Sequence, residues 1–145
     1  MIGWSEFSDP NTEGQLTEVK PQVPLFAPVL LLQNESELQT EMPLIAAELV
    51  GGSALTSYNL QFDQGEYTKS YITVVGEAPH NLERVISKGG LETDIVYTFR
   101  YRVRNKYGWS DDFSPTLSAR TATIPEQVTG LAFKIVDLLN VRFSW

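Results

Sequence analysis

The stretch of residues 91–109, LETDIVYTFRYRVRNKYGW, constrains the fold of this chain more than any other. Two sets of side chains alternate along it: Tyr97, Phe99, Tyr101, Val103 and Asn105 on one side, and Thr98, Arg100, Arg102, Arg104 and Lys106 on the other. A period of two is typical of a β-strand with one buried face and one face in water. Tyr107-Gly108 then predicts a turn, because glycine readily adopts the positive φ that many turns require.

Six further strands are predicted from short apolar or alternating segments separated by turn residues. They are 29–33, 38–44, 57–63, 67–75, 82–87 and 113–121. Pro43 interrupts the second of them, and the third is expected to place Ser57, Asn59, Gln61 and Asp63 on a wet face. Asp94-Ile95 is expected to form a corner between two sheets. Seven short strands without a convincing helix predict an all-β fold, a seven-stranded antiparallel immunoglobulin-like β-sandwich.

Parts of the sequence recur at an offset of 105 positions. Residues 3–10, GWSEFSDP, return as GWSDDFSP at 108–115, with one residue inserted, and Gln22-Val23 returns as Gln127-Val128. This period is the size of one sandwich domain. We therefore expect one complete domain at 23–124. Residues 1–22 would be the C-terminal strands of a preceding repeat plus a linker, and 125–145 the first strands of a following, truncated repeat.

The complete repeat resembles the fibronectin type III domain. The residues that carry this resemblance are Pro28, Gly51-Gly52, Tyr58, Leu91, Tyr97, the turn Asn105-Lys106-Tyr107-Gly108, and Ser114-Pro115. It implies that Leu91 and Tyr97 form a tyrosine corner, in which the hydroxyl bonds to the backbone of the preceding loop. The family's core tryptophan would fall near Leu44, so other aromatic side chains would have to fill that volume. In the third repeat Trp145 holds the tryptophan position.

A basic row is formed by Arg100, Arg102, Arg104 and Lys106. Its positive charges require interaction partners, because like charges two positions apart on a strand repel. Asp63 and Gln61 could face the row from the third strand, or Trp109 could fold back so that arginines stack on its ring. The second arrangement resembles the Trp-Ser-x-Trp-Ser ladder of cytokine receptors, with Phe113 in place of the second tryptophan. An acidic partner surface and simple solvation of the charges are the remaining alternatives.

The sequence carries little catalytic chemistry, so we predict that the chain is not an enzyme and needs no cofactor. Its single histidine, His80, stands in a predicted loop, and the glycine pairs lack the lysine and helix of a phosphate-binding loop. Asp111-Asp112 favours a solvated acidic turn over a calcium site, because the spacing of a calcium loop is missing. A net charge of −7 argues against nucleic acid as a partner. The chain has no cysteine, which excludes thiolate metal sites.

These features predict a non-catalytic structural or interaction module, one repeat of a tandem array that acts as a semi-rigid spacer or as an adhesion domain. Its expected partners are other protein domains, including neighbouring repeats, and direct membrane insertion is not expected. Asn34-Glu35-Ser36 is an N-glycosylation sequon on a predicted turn, which favours an extracellular or cell-surface protein. An intracellular cytoskeletal or ciliary scaffold, or an accessory domain of an enzyme, are the alternatives.

Overall fold

The computed structural model describes residue 3 and residues 17–65, 69–122, 132–137 and 140–144; in the last two ranges only the backbone is described. The described residues between 17 and 122 form eight strands and one turn of 3₁₀-helix. The strands are β1 (Val29–Gln33), β2 (Leu38–Glu41), β3 (Leu55–Phe62), β4 (Ile72–Val75), β5 (Val85–Lys88), β6 (Val96–Asn105), β7 (Gly108–Trp109) and β8 (Leu117–Arg120), and the 3₁₀-turn is Ala47–Leu49.

The eight strands form two antiparallel sheets. One has the order β1-β2-β5, and the other has the order β4-β3-β6-β7, with β8 also paired to β6. The centre of the larger sheet is the β3–β6 pair, in which Tyr58 lies opposite Val103 and Phe62 opposite Phe99. Because β6 is the longest strand and pairs with β3, β7 and β8, the predicted strand at 91–109 organises this sheet.

The core lies between the two sheets and follows the predicted alternation of β6. Phe99, Tyr101 and Val103 are completely buried, and so are Leu60 on β3 and Leu38 on β2. Burial of the phenol groups raises the pKa of Tyr101, and to a lesser degree that of Tyr58, because the charged phenolate is disfavoured away from water. The apolar face of 91–109 therefore forms one side of a continuous aromatic core.

The prediction of a solvent-exposed face on the third strand is wrong for three of its four residues. Ser57, Asn59 and Asp63 are buried, and only Gln61 remains partly exposed. The loop after β4 covers this face, since the Ser57 hydroxyl donates to the carbonyl of Gly76 at 2.7 Å. The side chains of Ser57, Asn59 and Asp63 each have a hydrogen-bond partner, which is what allows them to leave water.

The second strand ends earlier than predicted, and Leu44 does not occupy a core position. β2 stops at Glu41, and Leu44 is 72% exposed. Met42 is completely buried instead, and its N–H donates to the carbonyl of Arg84 at 2.9 Å. Pro43 has no N–H to donate, so the chain leaves the sheet after Met42 and carries Leu44 outward.

Beyond residue 122 the described backbone forms a hairpin. Its strands are β9 (Ala132–Asp137) and β10 (Asn140–Ser144), which pair antiparallel with each other. The assignment of 125–145 to a following repeat remains a prediction. The Gly-Trp-Ser copy at 3–5 falls outside the described residues apart from Gly3, as do Gln127-Val128 and Trp145.

Candidate functional site

A corner before β6 joins the two sheets through the Tyr97 side chain. The N–H of Glu92 donates to the Tyr97 hydroxyl oxygen at 2.9 Å, and Leu91 is buried beside it. Asp94 adopts a φ of 63°, which turns the chain sharply between Leu91 and the strand. The Thr121 hydroxyl reinforces the turn, because it donates to the carbonyl of Glu92 at 2.6 Å.

We expect Tyr97→Phe to lower the free energy of unfolding by about 1–2 kcal/mol, because the half-buried N–H of Glu92 loses its acceptor while the ring is kept. Urea denaturation followed by fluorescence measures the change. Tyr71→Phe is the control, since no hydrogen bond of the Tyr71 hydroxyl is found within the described part of the chain. An unchanged urea midpoint for Tyr97→Phe would show that the hydrogen bond of the corner does not stabilise the domain.

Cations and aromatic rings alternate on the outer face of the larger sheet. The series is Tyr71, Arg100, Phe113, Arg102 and Trp109. The Arg100 guanidinium carbon lies 3.8 Å from the centre of the Tyr71 ring and 3.9 Å from that of Phe113. Arg102 lies 4.9 Å from Phe113 and 4.7 Å from Trp109. We call this series the cation–aromatic ladder.

Two serines attach the aromatic side of the ladder to β6. The N–H of Ser110 donates to the carbonyl of Val103, and that of Ser114 donates to the carbonyl of Tyr101, both at 2.8 Å. In return, the Ser114 hydroxyl accepts from the N–H of Tyr101 at 3.1 Å. The Trp-Ser and Phe-Ser pairs therefore place each ring over the arginines and each serine against the backbone.

Each residue of the basic row has a different interaction partner. Gln61 accepts two hydrogen bonds from Arg100, whereas the Asp63 carboxylate, the other predicted partner, bonds to backbone N–H groups instead. Arg102 bonds to Glu77 and to Asn59, at 3.1 and 3.2 Å. The Arg104 side chain contacts the Thr56 hydroxyl, and Lys106 pairs with Glu18. A partner-binding role for this row remains a prediction.

We expect Trp109→Ala and Arg102→Ala to be coupled by roughly 0.5–1 kcal/mol in a double-mutant cycle, since each substitution alone removes the same cation–ring contact. Four urea titrations measure the coupling. Trp109→Ala combined with Arg120→Ala is the matched control, because Arg120 pairs with Asp94 and lies opposite Val96, at the other end of β6 from Trp109. Additive effects in the Arg102 cycle would mean that the stacking contributes nothing to stability.

The segment ahead of the sandwich is docked onto it at the end that carries the β6–β7 turn. The N–H of Val19 donates to the carbonyl of Gly51 at 2.9 Å, and the buried side-chain amide of Asn105 donates to the carbonyl of Val19 at 2.6 Å. The N–H of Gln22 donates to the carbonyl of Leu49 at 2.8 Å. We call residues 17–22 the docked linker.

Ionic contacts add to the docked linker. The Glu18 carboxylate pairs with Lys106 and accepts from the Tyr107 hydroxyl at 2.6 Å, and Lys20 lies 3.4 Å from Asp111. The hydrogen bond from Lys106, then that from Tyr107, lowers the pKa of the Glu18 carboxyl, and the bond to Glu18 raises the pKa of Lys106. The β6–β7 turn thus contacts the linker with three consecutive side chains, those of residues 105–107.

We expect the Glu18 carboxyl to titrate below its ordinary pKa of 4.5, since both contacts favour the charged form. A lowered pKa means that the carboxylate contributes to docking at neutral pH and that this contribution is lost as the pH falls through the lowered value. Carbon NMR shifts of the carboxyl group measure the titration. Lys106→Met should move the midpoint upward, and an unmoved midpoint would show that the ion pair does not form in solution.

Asn34 of the glycosylation sequon lies in the turn between β1 and β2. Its side-chain oxygen accepts from the N–H groups of Ser36 and Glu37, at 3.0 and 2.8 Å. The side-chain nitrogen, to which a glycan would be attached, has no acceptor in the described part of the chain. Asn34 is partly exposed, so an ordered turn presents the sequon at the surface.

The other candidate residues from the sequence do not come together as a reactive site. His80 is exposed, with its ring edge-on to Trp109 at 6.0 Å. Asp111 and Asp112 are exposed, and no group of three His, Cys, Asp or Glu side chains within the described residues is arranged to hold a metal ion. Among the same residues, no helix is long and apolar enough to cross a membrane.

Sequence reasoning missed several participants in this face. The pattern at 67–75 predicts only a strand for Tyr71, and no local pattern links Glu77 or Asn59 to the arginines. Their places depend on the β3–β4 pairing, whose register shifts between Leu60 and Gln61. The resemblance to the Trp-Ser-x-Trp-Ser ladder did predict Trp109 and Phe113 as stacking rings, but not that Phe113 contacts both Arg100 and Arg102 or that the two serines bond to β6.

Comparison with known proteins supports the fold. The sequence matches no protein-family model, and it matches no curated protein sequence. A fibronectin type-III domain of the human fibronectin type III domain containing protein 3 is similar in structure, with 16% identity, a TM-score of 0.59, and coverage of 83% of this chain and 100% of that domain.

Two titin structures are similar as well. Domains A168–A170 match with 19% identity and a TM-score of 0.59, over 71% of this chain and 32% of that one. Titin kinase with its flanking domains matches with 18% identity and a TM-score of 0.59, over 71% of this chain and 18% of that one. The chain therefore spans about a third or less of these multidomain structures. Together with the two sheets and their connections, these similarities show that the chain has the fibronectin type III fold.

Proposed function

We propose that this chain is a non-catalytic structural or interaction module, one repeat of a tandem fibronectin type III array that acts as a semi-rigid spacer or adhesion domain in a larger protein. The observation that carries the proposal is the docked linker. Val19 is held through both its N–H and its carbonyl, and Glu18 is held by Lys106 and Tyr107. A joint fixed in this way transmits the orientation of whatever precedes it, unlike a flexible tether.

Backbone ¹⁵N relaxation on the intact chain tests the spacer role. We expect the heteronuclear NOE values of Val19 and Gln22 to match those of β6, because both N–H groups donate to the sandwich. Values as low as those of a free tail would overturn the semi-rigid joint.

The coding sequence on either side of the chain tests the array, and further repeats with a period near 105 residues are expected there. Unrelated flanking sequence would contradict the array.

An extracellular or cell-surface location is the favoured setting, since the sequon at Asn34 stands on an ordered surface turn with its side-chain nitrogen available. Glycosidase treatment of the native protein should produce a shift in gel mobility, and Asn34→Gln should abolish the shift. A native protein without the shift would remove this support and leave the intracellular cytoskeletal or ciliary scaffold as an equal alternative.

The second candidate function is an accessory domain of an enzyme whose catalytic part lies elsewhere. The similarity to the structure of titin kinase with its flanking domains favours it as an alternative. The flanking coding sequence again decides, because a neighbouring catalytic domain would distinguish this arrangement from an array of binding modules.

A further inference from the structure

An open cleft lies on the outer face of the larger sheet, at the end where β6 begins. Its volume is about 540 Å³. Thr98 and Arg100 of β6 and Ser118 of β8 line one part of it, and Lys69 and Tyr71, which precede β4, line another. The cleft thus begins where the cation–aromatic ladder ends, at the Tyr71–Arg100 pair.

The charges of this face are balanced at one end and not at the other. Arg102 pairs with Glu77, and Lys106 pairs with Glu18. Arg100 and Lys69, both at the cleft, have no carboxylate partner within the described residues. Asp63 also lines the cleft, but it is only 1% exposed, and one of its oxygens already accepts from the N–H groups of Thr98 and Gly65. Within the described residues the cleft is therefore lined by two cations and one buried carboxylate, on a chain of net charge −7.

Arg100 is held in a fixed position, and part of its guanidinium has no acceptor among the described residues. Its guanidinium lies between the rings of Tyr71 and Phe113, and its Nε and Nη2 both donate to the side-chain oxygen of Gln61, at 3.2 and 3.0 Å. No described residue accepts from its Nη1. Because the planar guanidinium offers five N–H donors, the free edge can bind a carboxylate through two oxygens without losing further side-chain freedom.

The floor of the cleft contains an unsatisfied hydroxyl. Thr98 is 5% exposed, and its side-chain oxygen is buried without a hydrogen-bond partner. Buried polar atoms nearly always have a partner, and this oxygen has less than 1 Å² of accessible surface, so a ligand atom can reach it only when the Thr98 side chain rotates toward the cleft. Lys69 has a φ of 56°, a region that non-glycine residues seldom adopt and that occurs preferentially at functional sites.

We propose that this cleft binds a carboxylate side chain from an acidic segment of a partner protein. The Arg100 edge binds the two oxygens, the Thr98 hydroxyl rotates toward the cleft and donates to one of them, and Lys69 supplies the second positive charge. The proposal rests on the interaction role proposed above and gives it a ligand class. It concerns the end of the face that the ladder leaves open, so the remaining arginines are architectural.

Titration of ¹⁵N-labelled protein with an N-acetylated, C-amidated triglutamate peptide tests the proposal. We expect saturable shifts at the Thr98 and Ser118 amides and at Arg100 Nε. Arg100→Gln should weaken binding by about tenfold or more, because hydrogen bonds to charged groups are worth about 1.5–3 kcal/mol. Arg104→Gln is the matched control on the same strand and face, and it should leave the affinity unchanged.

Thr98→Val keeps the shape of the side chain and removes the hydroxyl, so it tests the site without disturbing the ladder. A loss of affinity in both Arg100→Gln and Thr98→Val supports the proposal. No saturable shift, an equal loss in Arg104→Gln, or saturation by sodium sulfate without binding of the peptide would overturn it. The relaxation test of the docked linker does not depend on any of these results. The proposed spacer role would therefore remain even if the cleft does not bind the peptide.

Discussion

Gly76→Ala is expected to lower the free energy of unfolding by about 3 kcal/mol or more, which is among the larger effects of single substitutions. Gly76 has a φ of 91°, and an added Cβ would lie 1.7 Å from the carbonyl oxygen of Tyr58. Its own carbonyl accepts from Ser57 at 2.7 Å, so a backbone shift that relieves the clash would also break this buried hydrogen bond.

Urea denaturation monitored by intrinsic fluorescence measures the loss. Gly89→Ala is the matched control, because no atom lies within 4 Å of its added Cβ and its φ is outside the left-handed region. We expect that control to change the free energy by less than about 0.5 kcal/mol. Similar stabilities for the two variants would show that the loop after β4 does not pack on β3 as described.

The second large effect is expected at the docked linker. In Gly51→Ala the new Cβ would lie 2.3 Å from the carbonyl oxygen of Val19 and 2.6 Å from that of Lys20. The linker must then leave the sandwich, which exposes Asn105 and removes the Val19 carbonyl, one of the two acceptors of its amide. We expect a loss of about 2–3 kcal/mol, from the strained φ and the lost hydrogen bonds together.

Gly52→Ala separates these two contributions. Gly52 has nearly the same φ, 73° against 74°, but the nearest atom to its added Cβ is 3.4 Å away. This variant should lose only about 1–2 kcal/mol, the cost of the left-handed conformation. Hydrogen exchange at Val19 completes the measurement: it should accelerate in Gly51→Ala and stay slow in Gly52→Ala. Equal exchange rates in the two variants would mean that the linker is not docked at Gly51.

The strands were predictable where one face of the chain meets the core and the other meets solvent. The alternation at 97–105 predicts β6 because the period of its side chains and the period of burial coincide. The same reasoning fails for β3, since Asn59 is as buried as its neighbour Leu60. Nothing local indicates that a loop covers this face. Burial of an asparagine depends on partners distant in sequence, here Val75 and Arg102.

The ladder was predictable in part. The Trp109-Ser110 and Phe113-Ser114 pairs predict stacking over arginines through their resemblance to the Trp-Ser-x-Trp-Ser ladder of cytokine receptors. Tyr71 reaches Arg100 only through the pairing of β4 with β3, and the docked linker depends on Asn105 and Gly51 meeting across the sandwich. Contacts of this kind are fixed by tertiary packing, so local patterns do not contain them.

The two serines on the ladder also bear on solubility. Between β7 and β8 the chain leaves regular pairing with β6, and a gap of this kind usually exposes backbone groups to which another molecule can add a strand. Here the hydroxyl of Ser114 accepts from the N–H of Tyr101, and the N–H of Ser110 donates to the carbonyl of Val103. Ser110 and Ser114 thus satisfy backbone groups along this edge of β6. The longest of the described strands is therefore a poor template for aggregation.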